Sequence, residues 1–199
     1  MGVAHFCVTC GTQLVPREIE GRMHEACPND DFVLWHDPKV VTAVVVQAPG
    51  GVLLGRRGIE PGRGLWCLPG GFVNDDEGPL DAAVRECREE IGAAVDITGL
   101  VGVYHIAKSD APSMVGLGYS GRLVEGEKLE AGAEMTELEV FPLDSVPDLA
   151  FPSHRQILLD FVRSQASPGG VEAPRDGAAA RRSERPSRDR ARWPRTRRR

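Results

Sequence analysis

The sequence predicts an α/β sandwich, preceded by a small cysteine-bearing module and followed by an arginine-rich tail. Three observations carry that expectation. A β-branched run, Val40 to Val46, and an apolar-led run, Val52 to Arg57, flank a turn at Pro49-Gly50-Gly51, the pattern of two strands joined in a hairpin. Residues 79 to 91 place apolar side chains at helical spacing, and a second such segment starts near Ser153 and carries Ile157, Leu158, Phe161 and Val162 inward. A sheet with helices against it follows.

The N-terminal module runs over residues 1–38 and contains Cys7-Val-Thr-Cys10-Gly, then Cys27-Pro-Asn-Asp30. Two Cys-x-x-Cys knuckles at about this separation signal a zinc ribbon, because each tight turn presents two ligands to one tetrahedral ion. Here the second knuckle is Cys-x-x-Asp. A carboxylate oxygen ligates zinc, so Asp30 is the first choice for the fourth ligand after Cys7, Cys10 and Cys27, with His24, His5 and His36 as substitutes. Two other readings stand beside structural Zn²⁺: a degenerate ribbon that folds without metal, and a redox Cys-x-x-Cys, which lacks the βαβ pattern expected around one.

The central domain spans residues 39–165. After the hairpin, a glycine-rich loop leads through Leu65-Trp66-Cys67-Leu68 to a turn at Pro69-Gly70-Gly71. The helix that follows has Pro79 at its first position, Gly78 as a modest N-cap, Asp81 in its positively polarised first turn and Gly92 at its end. Leu80, Val84, Cys87 and Ile91 form its expected apolar stripe. Further strands are expected near Val95–Ile106, Met114–Val124 and Leu138–Phe141. Ser153 is the expected cap of the last helix.

On the face of the first helix away from that stripe lie Glu86, Glu89 and Glu90, beside Arg85. At 100° per residue the three glutamates fall within an arc of about 100°. Adjacent carboxylates repel one another and disfavour their own ionisation unless a cation sits over them. Oxygen ligands at this density suit Mg²⁺ or Mn²⁺. An ordinary solvated acidic face is the competing reading, but such a face intersperses cations at i+4, and no lysine or arginine lies four residues beyond any of these glutamates.

Residues 71–93, GFVNDDEGPLDAAVRECREEIGA, resemble the signature of the Nudix hydrolases, GX5EX7REUXEEXGU with U a bulky apolar residue. Gly71, Glu77, Arg85, Glu86, Glu89, Glu90 and Gly92 match it; Cys87 and Ala93 are smaller than the usual U residues. The resemblance implies an α/β/α sandwich with a mixed sheet. It also implies metal-dependent hydrolysis of the pyrophosphate bond in a nucleoside diphosphate linked to another group. It assigns metal coordination to Glu86, Glu89, Glu90 and the backbone carbonyl of Gly70. Arg85 would orient a carboxylate and pair with Glu77. The base would be Glu86 or a carboxylate from a later loop, for which Glu134 is the candidate and a plain surface acid the alternative.

The N-terminal segment resembles the zinc ribbon that precedes the catalytic domain in Nudix hydrolases related to NADH pyrophosphatases. The SQPWPFPXS array of those enzymes is absent, which puts ADP-ribose-like substrates ahead of NADH. A proline about sixteen residues past the signature marks ADP-ribose hydrolases of the family; here Pro112 lies 112 − 93 = 19 residues beyond Ala93. Arg57 could meet a phosphate, and Trp66, Tyr104, Tyr119 and Phe151 are the aromatic pool for a base clamp, with core packing as the competing role for each. A nucleotide-sensing or RNA-associated module without this turnover is the alternative function.

Charge is unevenly spread. Residues 1–169 hold 13 Lys+Arg against 25 Asp+Glu, whereas residues 170–199 hold 11 arginines against 4 acids. An acidic body argues against a nucleic-acid surface there and fits recruitment of cations to anionic phosphates. The tail, residues 166–199, has almost no apolar anchor beyond Trp193 and is expected to be disordered. Nucleic-acid binding through its arginines is the less favoured alternative. No apolar run reaches membrane-spanning length, and five cysteines make an odd count that fits a reducing compartment, so a cytoplasmic protein without membrane contact is expected. A homodimer is compatible with all of this.

Overall fold

The computed structural model describes residues 4–107 and 112–166. The arginine-rich segment beyond Ala166, with Trp193, lies outside the described residues.

The N-terminal module is a three-stranded antiparallel sheet, β1 (Val15–Ile19), β2 (Arg22–Ala26) and β3 (Val33–Leu34), in that order. Its buried residues are Cys7, Leu14 and Cys27, with Phe32 and Leu34 packed beside them. So small a core does not hold a fold by hydrophobic burial alone and calls for a staple.

The central domain is built on β4 (Lys39–Ala48), β5 (Gly51–Arg57), β6 (Trp66–Cys67), β7 (Val95–Ile106), β8 (Met114–Leu123) and β9 (Met135–Phe141), with helices α1 (Pro79–Ile91) and α2 (Pro152–Ala166). β4 runs antiparallel to β5 but parallel to β8, which pairs antiparallel with β7. The sheet is therefore mixed. β5 also pairs with β6 and, over Val52 to Arg57, with β9.

Strand alternation explains the layering. Val44 and Val46 of β4 point to one face, where Ala83, Cys87 and Ile91 of α1 cover them; Ala43 and Val45 point to the other, against Ile157, Leu158 and Phe161 of α2. Both faces of β4 are thus buried, which is why its sequence reads as a continuous β-branched run rather than an alternating one. The result is the expected α/β/α sandwich.

Three local expectations are corrected. Leu80 and Val84 are 54% and 43% exposed, and the buried face of α1 is instead Ala82, Ala83, Cys87, Glu90 and Ile91. The helix packs through its smallest residues, which brings its backbone close to the sheet. Val162 is partly exposed, while Ile157, Leu158 and Phe161 are buried as expected. Ser153 lies within the first turn of α2, which starts at Pro152; the Phe151 carbonyl accepts the amides of His154 and Arg155.

Candidate active site

The loop before α1 is fixed by β4. Val44 N–H donates to the Pro69 carbonyl, Thr42 N–H to Gly71 and Val73 N–H to Val40, so residues 69–73 run alongside the strand. Gly70 has φ +151°, and a Cβ there would strike the Thr42 carbonyl. Only glycine fits. At Gly71 a Cβ would strike the Glu86 carboxylate, so the loop and the α1 glutamates enclose one cradle.

Arg85 organises that cradle. Its Nε and Nη2 donate to the two oxygens of Glu77 (3.0 and 2.7 Å), Nη1 to Glu86 Oε1 (2.9 Å) and Glu89 Oε2 (3.0 Å), and Nη2 to the Phe72 carbonyl (3.0 Å). The fork matches the Glu77 carboxylate in bidentate fashion, and these hydrogen bonds, with that from Asn74 N–H, hold Glu77 down to about 2. The family resemblance implied the Arg85–Glu77 pair; the bonds to Glu89 and Phe72 are additional.

Glu90 is buried, and its Oε2 accepts the Gly70 amide at 2.8 Å. Burial pushes its carboxyl up to about 8, with the charges of Glu86 and Glu134 adding to the shift and the Gly70 amide opposing it. Glu86 is raised for the same leading reason, burial, against the pull of Arg85. Glu86, Glu89 and Glu90 each retain one oxygen with no protein partner among the described residues. Three unpaired carboxylate oxygens over a crowded, partly dry cluster are a donor set for a hard divalent cation, so these residues fit Mg²⁺ or Mn²⁺.

Glu134 is exposed and sits close enough for its charge to act on both Glu86 and Glu90. Its loop is tied down at both ends of its approach: Glu130 N–H donates to the Ile91 carbonyl, Gly132 N–H to Glu90, and the Glu134 carbonyl accepts from Gly58. Nothing in the local sequence announced that residues 130–132 bind the last carbonyls of α1, because those contacts join segments some forty residues apart.

Arg57 is buried at the end of β5, donates from Nε to the Pro61 carbonyl at 2.7 Å, and lies 5.0 Å over the Phe151 ring. The two residues named for substrate are thus in contact with each other. Trp66 packs edge-on to Phe141, Tyr119 is buried beside α1, and Tyr104 donates to Asp160; these three aromatics serve the core. A contact absent from the sequence reading is His154, whose Nδ1 accepts the Leu68 amide at 3.1 Å and so ties α2 to the loop carrying Gly70.

In the N-terminal module the side-chain donors of Cys7, Cys10, Cys27 and Asp30 all lie within 4.8 Å of one another. Cys7 Sγ is 3.2 Å from Asp30 Oδ2 and Cys10 Sγ 3.5 Å from Cys27 Sγ. These spacings are close to the edges of a tetrahedron around an ion with ligand bonds of roughly 2.0 to 2.3 Å. The amides of Thr9 and Asn29 point at the sulfurs of Cys7 and Cys27, as in tight knuckles. Asp30, the departure from Cys-x-x-Cys, completes the group, and the three histidine substitutes do not enter it. The cluster fits Zn²⁺.

The model of the family described as NUDIX domain matches residues 36–161. The chain belongs to the Nudix family. An ADP-ribose pyrophosphatase from Methanocaldococcus jannaschii is 34% identical over 133 residues, covering 66% of this chain and 78% of that protein. The NAD-capped RNA hydrolase NudC from Pseudomonas aeruginosa is 30% identical over 155 residues, 76% of this chain but 52% of its own length, so this chain spans about half of that relative. The crystal structure of a Nudix hydrolase from Nitrosomonas europaea superposes with a TM-score of 0.71 at 29% identity, covering 81% of this chain and 92% of that one. This Nudix hydrolase thus has the expected sandwich. Among its described residues, no helix is long and apolar enough to cross a membrane.

Proposed function

We propose that this Nudix hydrolase cleaves the pyrophosphate bond of a nucleoside diphosphate linked to another group, with ADP-ribose-like compounds as the preferred class. The observation that carries the reading is the cradle of Glu86, Glu89 and Glu90, each with an oxygen unpaired among the described residues, beneath the Gly70-Gly71 loop. Those three side chains and the Gly70 carbonyl would hold Mg²⁺ or Mn²⁺. Bound there, such an ion neutralises phosphate charge and makes water acidic enough to deprotonate near neutral pH.

The chain's own residues do the rest. Arg85, all of whose bonds go to protein, positions Glu86 and Glu89 rather than touching substrate. Glu134 takes the proton of the attacking water, with Glu86 as the other candidate; its exposure and its field on the cluster support that role. Arg57 meets a phosphate or ribose oxygen and Phe151 lines the same subsite, a reading supported by their contact. In the N-terminal module Cys7, Cys10, Cys27 and Asp30 would hold one structural Zn²⁺. The setting is cytoplasmic, and the unit a monomer or homodimer.

The M. jannaschii relative supports ADP-ribose-like substrates. A second reading, hydrolysis at the NAD-like end of an RNA, is favoured by the NudC relative, whose match covers 76% of this chain and so exceeds the family domain. Full-length protein incubated with Mg²⁺ and a panel of ADP-ribose, NADH, FAD, oxidised nucleotides and NAD-capped RNA, with products identified by mass spectrometry, decides between them. AMP and ribose phosphate released fastest from ADP-ribose is the expected outcome. Faster release of a 5′-monophosphate RNA overturns the preference, and no hydrolysis of any substrate overturns the catalytic reading in favour of a sensing module.

A further inference from the structure

The loop that carries Gly70 changes partner strand at Leu68. Upstream of it, Trp66 and Cys67 pair with Arg56 and Gly55 of β5; downstream, the Pro69 and Gly71 carbonyls accept amides of β4. Leu68 falls between the two pairings and is fully buried, so its amide needs a partner inside the protein. That partner is not a strand but a side chain of α2, His154, whose Nδ1 accepts it at 3.1 Å. Pro69 has no amide, and that of Gly70 ends on Glu90 Oε2 at 2.8 Å. Glu90 belongs to α1 and His154 to α2, which cover opposite faces of the sheet, so the two helices grip this loop from both sides.

The same ring reaches the substrate side. Phe151 immediately precedes α2, and His154, three residues on, shares its face of the first turn. Their rings pack edge to face, 4.9 Å between centroids, and the Arg57 guanidinium lies 5.0 Å over Phe151. Backbone pairing fixes the approach of this segment: Ala150 N–H donates to the Trp66 carbonyl at 2.7 Å, and Leu149 bridges in parallel to Trp66. Burial and the nearby charge of Arg57 hold the His154 imidazole down to about 4, so at neutral pH the ring is uncharged and Nδ1 keeps a lone pair to accept with.

We propose that His154 is a positioning residue for the hydrolytic site: through Nδ1 it sets the loop whose Gly70 carbonyl would hold the ion, and through its ring it seats Phe151 beneath Arg57. One side chain thus fixes both the metal cradle and the phosphate subsite. This role rests on the proposed metal site of the α1 glutamates, and it belongs to a residue outside the signature helix. Two substitutions separate its two tasks. Asn carries an acceptor oxygen where the ring has Nδ1 but offers no ring, whereas Leu fills the space and accepts nothing.

The test is Mn²⁺ titration of full-length protein, read from the electron paramagnetic resonance of the free ion, with Glu89→Gln as the reference for the cradle. Mn²⁺ is a hard ion and favours these carboxylates over the cysteines. Wild type is expected to bind it and Glu89→Gln to bind it more weakly. His154→Leu is expected to lose about tenfold or more in affinity, as when a group that orients a ligand is removed, while His154→Asn stays within about threefold of wild type. With ADP-ribose as substrate, kcat is expected to fall in His154→Leu with KM little changed, and KM to rise in His154→Asn with kcat largely kept. Circular dichroism establishes folding of each variant. Without any substitution, the long-range ¹H–¹⁵N spectrum of wild type is expected to show the His154 proton on Nε2, leaving Nδ1 to accept. Equal Mn²⁺ affinity in His154→Leu and wild type, equal loss in both variants, or a proton on Nδ1 overturns the role of His154 and leaves the cradle standing. An unchanged KM in His154→Asn overturns the seating of Phe151. Absence of Glu89-dependent Mn²⁺ binding overturns the metal site itself, and the role of His154 with it.

Discussion

Glu90 shows how one residue couples stability to function. Its carboxyl is buried with a single hydrogen bond among the described residues, and its folded value of about 8 stands above the ordinary 4.5. Between those values the folded state holds a proton that the unfolded chain has released, so the stability of metal-free protein falls as pH rises through this window. Glu77 works in the opposite direction: held at about 2, it stabilises above pH 4.5 and its contribution fades as pH falls toward 2. Thermal melts in chelator from pH 5 to 8 are expected to show Tm declining with pH in wild type and a flatter profile in Glu90→Gln. Added Mg²⁺ is expected to restore stability most at the alkaline end. The same substitution, and Glu89→Gln, is expected to reduce kcat/KM by about 100-fold or more, equivalent to about 2.7 kcal/mol, while circular dichroism stays native. Near-normal turnover of both variants at saturating Mg²⁺ would remove these glutamates from the metal site.

At the scale of elements, what could be read in advance depended on the range of the forces involved. β4 and β5 were legible because a β-branched run, an apolar run and the Pro-Gly-Gly turn between them act locally, and α1 because Pro79 and Gly92 punctuate it. Gly92, at φ +70°, does close the helix. The rotation of α1 was misread, because hydrophobicity pointed to Leu80 and Val84 while the sheet accepts the small Ala82 and Ala83. Burial of a glutamate in that interface contradicts the hydrophobic pattern and was invisible to it. Glu134 was named from its loop as a candidate base, with a plain surface acid as the alternative; its place depends on Gly132, whose amide binds the Glu90 carbonyl and whose Cβ position is filled by the Glu89 carbonyl. Gly132→Ala must push backbone against backbone and is expected to cost about 1–3 kcal/mol in denaturant unfolding and to lower kcat by displacing Glu134. Unchanged stability would mean that the loop yields freely. The N-terminal module makes its own prediction, since its core is small and its cysteines converge. Protein purified under reducing, chelator-free conditions is expected to contain about one tightly held zinc per chain, absent in Cys7→Ser and Cys27→Ser. Metal analysis that finds none would identify a ribbon folded without metal.

Over the whole molecule, charge is the feature that no single element explains. The body through residue 169 is strongly acidic and the following segment carries 11 arginines, while the acidic cradle, Arg57, Phe151 and the two hydrophobic clusters all lie within residues 4–166. Every residue assigned to substrate or metal therefore precedes the arginine-rich segment. Deleting that segment after Ala166 is expected to leave kcat and KM for small nucleotide substrates unchanged. Arginines can still steer anionic substrates over a Debye length, so the comparison belongs at about 0.15 M salt, where that length is roughly 8 Å. A loss greater than about tenfold in kcat/KM there, about 1.4 kcal/mol of transition-state stabilisation, would require the segment to contact substrate or the site. An RNA substrate separates the two readings of function further, because each arginine that neutralises a phosphate steepens the salt dependence of binding. If truncation lowers affinity for a 5′-capped RNA and flattens its salt dependence while ADP-ribose hydrolysis stays the same, the basic segment recruits RNA to a site whose chemistry is complete without it.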